Sequence, residues 1–246
     1  RNLSTLLNTI KSYAKINLFL TVVDKLDTGF HVLNSMLSRI DLYDEIRIKD
    51  ESSFSISYNG PFGDQVGSND HISKLFNYLI DKNYLKQKSF AIHVVKNIPV
   101  GSGLGGGSSN VAEIIKYLIR SNLLDNSSST EIARDLGSDI EFFIDEGSAL
   151  ISGKGNVDQR FKINSDKHFL IVFPNVQNST KDIFNKHSNL SGEKFSYNKD
   201  TNLDGILKGT SNELEKTALL ANQEMKKIRE YLDNDINCKY ERMTGS

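Results

Sequence analysis

The sequence predicts a chain that mixes β-strands with α-helices, on three observations. Phe90 to Val95 alternates as a strand does. Val111, Ile114, Ile115 and Leu118 keep the spacing of one helix face. Between them runs Pro99-Val100-Gly101-Ser102-Gly103-Leu104-Gly105-Gly106-Gly107-Ser108-Ser109-Asn110, with five glycines and three serines.

A glycine-rich loop opening onto a helix N-terminus is a physical anion site. Glycines let backbone N–H groups curl around phosphate oxygens. The helix end adds unsatisfied donors and the positive end of its dipole. Ser108, Ser109 and Asn110 are N-cap types, so the helix is expected to start at them. No Gly-Lys-Ser/Thr follows the glycines, which excludes the Walker pattern. Gly101, Gly103 and Gly106 fit G-x-G-x-x-G, but no acidic residue stands on a following strand at the ribose-binding distance. On composition alone, a flexible linker is the alternative.

From the N-terminus, Ser12 to Val23 is apolar and β-branched, hence a strand, with Lys15 and Asn17 on one face of it. Asp24 to Gly29 is a turn, and Phe30 to Ile40 leads to a second strand around Asp44 to Ile48. Phe54 to Tyr58 is a further strand, and Gly60 to Gly67 a polar loop. Ile72, Leu75, Phe76 and Leu79 mark a helix that Ser68, Asn69 or Asp70 caps. Ser127 to Leu136 is a helix closed by Gly137. Phe169 to Pro174 reads as a buried strand, and a second domain is expected to begin shortly before it. Gly192 to Asp204 is a polar loop. Ser211 to Glu215 opens a helix, and Lys226 to Leu232 forms another.

The 246 residues are 38% hydrophobic and 25% charged with a formal net charge of −1, the profile of a soluble globular protein of one large core or two domains. Without excess basic charge, nucleic acid and anionic membranes are not expected partners. No apolar run approaches the roughly 20 residues of a membrane span, and no secretion signal opens the chain. The single cysteine, Cys238, excludes an internal disulfide framework and fits a reducing compartment, here taken as the cytoplasm. Taken alone, Lys15 reads equally as a solvated strand lysine, His31 as a loop histidine, Lys96 as a strand-end lysine and Asp139 as a turn carboxylate.

The order Pro-x-Gly-x-Gly-Leu-Gly-Gly-Gly-Ser-Ser-Asn resembles the phosphate-binding motif of the GHMP kinases, and most closely the branch that phosphorylates 4-diphosphocytidyl-2-C-methyl-D-erythritol. Ala14-Lys15-Ile16-Asn17-Leu18-Phe19-Leu20, followed by Asp27-Thr28-Gly29-Phe30-His31, resembles that family's first motif. Leu136-Gly137-Ser138-Asp139-Ile140-Glu141-Phe142-Phe143 is similar to its Leu-Gly-Ala-Asp-Val-Pro-Phe-Phe, and Gly147 to Gly155 to the hairpin that follows it. Three positions depart from the pattern: Phe30 for the usual tyrosine, Asp70 for an asparagine beside the adenine, and Glu141 for proline. Met243-Thr244-Gly245-Ser246 resembles the start of the third motif, which family members continue for some tens of residues.

The resemblance implies an α+β fold of two domains. Residues 1–160 would form a domain like domain 2 of ribosomal protein S5, and 161–246 an incomplete ferredoxin-like domain, with the active site in the cleft between them. It implies ATP and Mg²⁺ as cofactors, with metal ligands left open. Lys15 and Asp139 take the catalytic positions. Lys96, Pro99, Gly101, Gly103, Leu104, Gly105, Gly106, Gly107, Ser108 and Ser109 take those that hold ATP. Asn17, Phe30, His31, Thr180 and Phe184 take those that hold the acceptor. The competing expectations are another GHMP kinase, acting on mevalonate, homoserine or a sugar, and a non-catalytic nucleotide-binding member.

Overall fold

The computed structural model describes residues 9–245 apart from 69, 87–88, 154, 164–166, 175, 177–178, 188–189, 191–201 and 236–237. Its elements in chain order are β1 (Ile10–Lys25), β2 (His31–Asp50), β3 (Ser55–Asn59), α1 (His71–Asp81), β4 (Phe90–Val95), α2 (Gly106–Arg120), α3 (Ser129–Leu136), α4 (Ser138–Ile144), β5 (Ser148–Gly153), β6 (Asn156–Phe161), α5 (Thr180–Lys186), α6 (Leu203–Gly209), α7 (Glu215–Ala221) and α8 (Gln223–Asp233). No helix among the described residues is long and apolar enough to cross a membrane. Contacts divide the chain into two units. The first comprises residues up to Lys15, Ile40–Val100 and Leu104–Glu146; the second comprises Ile16–Arg39, Gly101–Gly103 and the residues from Gly147 on.

In the first unit the C-terminal half of β2 pairs antiparallel with β4, Glu45 opposite Val95 and Ile48 opposite Ile92. β4 pairs in parallel with β3. α1 buries Ile72, Leu75, Phe76 and Leu79, the four residues whose spacing marks the helix. α2 likewise buries Val111, Ile114, Ile115 and Leu118. Burying each such side chain contributes about 1.5–3 kcal/mol, which fixes the helix that starts at the glycine loop. Phe142 and Phe143 of α4 are fully buried, and Lys116 of α2 donates to the Phe143 carbonyl (3.1 Å), tying α4 to α2.

In the second unit the N-terminal half of β2 pairs antiparallel with β5, and β5 with β6. Leu20 and Val22 of β1 pack with Ile183, Leu214 and Ala218 as one apolar cluster. The turn before β2 closes through Leu26 N–H donating to Phe30 O and Gly29 N–H to Leu26 O, both 2.8 Å.

Several elements differ from expectation. β2 is one strand of 20 residues, because β5 offers its first half a partner that a local reading does not see. α2 starts at Gly106, with Gly105 as its N-cap in the left-handed region (φ 72°). Ser108, Ser109 and Asn110 therefore lie inside the helix, and their side chains are released from capping. Gly137 ends α3 in extended backbone (φ 163°) instead of a left-handed cap, since the chain straightens there to enter α4. Phe169 to Pro174 forms no strand, and Leu170 is 85% exposed. A continuous apolar run becomes a buried strand only where a neighbouring strand pairs with it, and no strand among the described residues pairs with this one. The helix expected from Ser211 starts at Glu215, because a parallel bridge to Leu20 holds Asn212 and a turn follows it. The cap position Asn69 and most of the polar loop from Gly192 lie outside the described residues.

Candidate active site

The glycine loop turns three times through positive φ, at Gly101 (71°), Gly103 (75°) and Gly105 (72°), and then enters α2. Gly105 admits no side chain. A Cβ there would stand 2.9 Å from the Phe143 ring and 3.1 Å from Lys15 Cγ. Leu104 is buried, and its carbonyl accepts from the Lys15 N–H (2.9 Å), so the loop is stitched to β1 at the residue before the turn. Pro99, Gly106 and Ser109 are buried, Gly101 is exposed, and Gly103, Gly107 and Ser108 lie between. An N-terminus of a 15-residue helix, reached through bare backbone, presents its first N–H groups and its dipole to an anion.

Beside this loop the first unit brings Lys15 and Asp139 together, Nζ to Oδ2 at 3.5 Å. The Lys15 side chain is 5% exposed and that of Asp139 38%, so the ammonium is enclosed while the carboxylate stays reachable. Asp139 is the second residue of α4. Glu141 does not leave a loose charge nearby: its two oxygens accept from Arg134 Nε and Nη2, both at 3.0 Å.

The second unit gathers in part the residues that the motif resemblance assigns to the acceptor. His31 stacks on Phe184, ring centroids 5.0 Å apart and 30° between planes. His31 Nε2 is buried and has no hydrogen-bond partner among the described residues. Burial, then the charges of Lys25 and His187, push the His31 pKa below its ordinary value. Phe30 is 58% exposed at the mouth of the turn. Thr180 begins α5, one helical turn before Phe184, behind the Ser179 cap. Asn17 is buried and turned elsewhere: Nδ2 donates to Ser35 Oγ (2.9 Å), and Oδ1 accepts from Gly245 N–H (3.2 Å).

Two residues near the nucleotide positions are committed to protein groups. Asp70 caps α1, accepting from Ile72 N–H (2.8 Å), Ser73 N–H (2.9 Å), Ser73 Oγ (2.7 Å) and Tyr58 Oη (2.6 Å). Burial raises its pKa, but these hydrogen bonds outweigh it and the net direction is down. Lys96 is buried against Asp44 and Asn110. Asp44, Asn212, Arg242 and His71 lie outside the motifs that mark the site in the sequence. The His71 imidazole lies against Gly107, 3.0 Å from where a Cβ would be. A signal for Asp44 was available: it alternates with Ile46 and Ile48, a charge at an inward-facing position of a strand.

Residues 70–150 match the GHMP kinases N terminal domain. The chain is 36% identical over 242 residues to the 4-diphosphocytidyl-2-C-methyl-D-erythritol kinase of Pelagibacter ubique (strain HTCC1062), covering 96% of this chain and 85% of the relative. It is 31% identical over 264 residues to the enzyme of the same name from Prochlorococcus marinus (strain MIT 9515), covering 99% and 85%. A crystal structure of 4-(cytidine 5'-diphospho)-2C-methyl-D-erythritol kinase shares the fold at a TM-score of 0.70 and 24% identity, over 92% of this chain and 82% of that one. Methanococcus jannaschii mevalonate kinase shares it at 0.56 and 16% identity, over 99% and 88%. The α+β fold is thus that of the GHMP kinases, a class built around a glycine loop of this kind. Within it, the chain belongs to the family of the 4-diphosphocytidyl-2-C-methyl-D-erythritol kinases.

Proposed function

We propose that this chain transfers the γ-phosphoryl group of ATP to the 2-hydroxyl of 4-diphosphocytidyl-2-C-methyl-D-erythritol, in the cytoplasm, as a step of non-mevalonate isoprenoid precursor synthesis. Residues 1–160 form the domain with the ATP loop, and 161–246 belong to the C-terminal domain. The observation that carries the choice of acceptor is His31 stacked on Phe184 with a buried ring nitrogen that has no partner among the described residues. A flat ring with a hydrogen-bonding edge satisfies both, and a cytosine has one. Mevalonate, homoserine and sugars offer no such ring.

In this reading the glycine loop and the start of α2 hold the ATP phosphates. Phosphoryl transfer asks a protein mainly for positioning and charge neutralisation. The acceptor 2-oxygen forms a bond to the γ-phosphorus, the bond from that phosphorus to the β-bridging oxygen breaks, and ADP leaves. Asp139 takes the hydroxyl proton. Lys15 holds the Asp139 carboxylate and offsets negative charge that develops between donor and acceptor. Mg²⁺ would be brought by the nucleotide and would neutralise charge on its phosphates, which with water and one or two protein carboxylates would be enough to hold it. It needs no carboxylate cage, and among the described residues no group of three or more His, Cys, Asp or Glu could hold a metal.

The test is ADP release with ATP and each of four acceptors side by side: the cytidylyl substrate, free methylerythritol phosphate, mevalonate and homoserine. Turnover with the first alone is expected. Equal turnover with free methylerythritol phosphate removes the base clamp, and turnover with mevalonate or homoserine assigns a different GHMP kinase activity.

A further inference from the structure

Both shoulders of the glycine loop are tied to one buried carboxylate. Asp44 lies at 0% exposure on β2. On β4, the buried residues Phe90, Ile92 and Val94 lead at the same spacing to Lys96. The register that sets Glu45 opposite Val95 brings Asp44 and Lys96 opposite each other one step further on, and they form an ion pair.

Asp44 Oδ1 accepts from the backbone N–H of Asn97 (2.7 Å) and of Ile98 (2.9 Å), the residues that run into Pro99. The Asn97 side chain donates to the Tyr43 carbonyl (3.0 Å), fixing the same shoulder from the other side. Asp44 Oδ2 accepts from Lys96 and from Asn110 Nδ2 (3.0 Å), near the start of α2. Lys96 Nζ also donates to Asn110 Oδ1 (3.2 Å), and Asn110 Nδ2 to Ser12 Oγ (2.9 Å), which in turn donates to Ser109 Oγ (2.8 Å). A Cβ on Gly106 would stand 3.2 Å from Lys96 Nζ, so the ammonium lies directly under the first residue of α2.

We propose that Asp44 is the positioning residue of the phosphate loop, and that Lys96 acts through Asp44 and Asn110 and not as a contact to the nucleotide base. The inference rests on the reading of the loop as the ATP phosphate site. One carboxylate sets where the loop leaves β4 and where α2 begins. The donors of the loop are thereby held before any phosphate arrives, and a preorganised site costs nothing to rearrange on binding. Lys96, at 3% exposure, serves as the counter-charge of Asp44 inside the core.

The test compares the parent chain with Lys96→Met, Asp44→Asn and the double variant Asp44→Asn/Lys96→Met. Asp44→Asn alone leaves an ammonium buried without a counter-charge and can fail to fold; the double variant removes both charges. ATP and ADP are titrated by calorimetry, and adenosine by ligand-observed NMR into the millimolar range. No acceptor is present, so a wrong acceptor assignment does not touch the outcome. The double variant is expected to fold, to bind adenosine as the parent does, and to bind ATP about 10- to 100-fold more weakly. Lys96→Met is expected to spare adenosine as well. Equal losses for adenosine and ATP make Lys96 a base contact and overturn the proposal. Unchanged ATP affinity in the folded double variant overturns it too. A parent chain that binds no ATP removes the phosphate-site reading underneath.

Discussion

Gly103 and Gly245 meet backbone to backbone. A Cβ on Gly245 would stand 2.7 Å from Gly103 Cα, and one on Gly103 would stand 2.9 Å from both Gly245 Cα and the Thr244 carbonyl. The segment that brings Gly245 there is held from three sides. Asn17 N–H donates to Thr244 Oγ1 (2.8 Å), Asn212 Nδ2 donates to the carbonyls of Met243 (3.0 Å) and Gly245 (2.8 Å), and Arg242 donates to the Leu207 carbonyl (2.6 Å) and to that of Leu18. Gly245→Ala puts a methyl group into this contact at φ 80°. The expected cost is about 1–3 kcal/mol of stability, with weaker ATP binding because the tip of the phosphate loop is displaced. Thermal midpoint and nucleotide titration check it. A variant with unchanged ATP affinity shows that Gly103 does not depend on its neighbour.

His31 gives a pH prediction with a definite sign. Its pKa in the folded protein is below the ordinary 6.5, through burial first and then the charges of Lys25 and His187. A depressed histidine contributes stability that is complete above 6.5 and is lost as pH falls through 6.5 and on through the folded value. Protonation also turns the ring nitrogen from an acceptor into a donor and adds charge where the proposed acceptor base would lie. The acceptor KM is therefore expected to rise on the acid side with little change in kcat. His31→Ala is expected to raise the acceptor KM more than it lowers kcat and to abolish that acid limb. KM measured against pH for both proteins decides; an acid limb that survives in His31→Ala assigns it to another group.

Much of the first unit is legible in the sequence, because helix faces follow from spacing: Ile72, Leu75, Phe76 and Leu79 are the buried side of α1. What depends on a partner is not. The first half of β2 is a strand because β5 lies beside it, and Phe169 to Phe173, equally apolar, is none. Lys15 and Asp139 are far apart in the chain, and no periodicity joins them; only a resemblance between motifs pairs them before the structure sets their charges 3.5 Å apart. Asp44 and Lys96 are the converse case. Asp44 is a charge in an inward-facing strand position and Lys96 continues the inward-facing spacing just past β4, each legible alone as an anomaly, but what they hold becomes visible only when the register sets the strands together.

The Lys15–Asp139 pair separates a catalytic reading from a structural one. The contact is long for a hydrogen bond, and Asp139 is too exposed for the pair to add much stability. Asp139→Asn keeps shape and polarity but removes the carboxylate proposed to take the proton, so on that proposal kcat is expected to fall by about 10²–10⁴-fold with the thermal midpoint nearly unchanged. Lys15→Met keeps an unbranched chain to pack against Gly105 while removing the charge, and it is also expected to lower kcat. Groups that act as one unit are non-additive, so the double variant is expected to lose less than the product of the two single losses. Single-turnover transfer and thermal melting on the same four proteins give both readouts. If the pair is only a brace for α4, the variants shift the midpoint and leave the transfer step alone. An Asp139→Asn protein with full single-turnover activity removes Asp139 as the base.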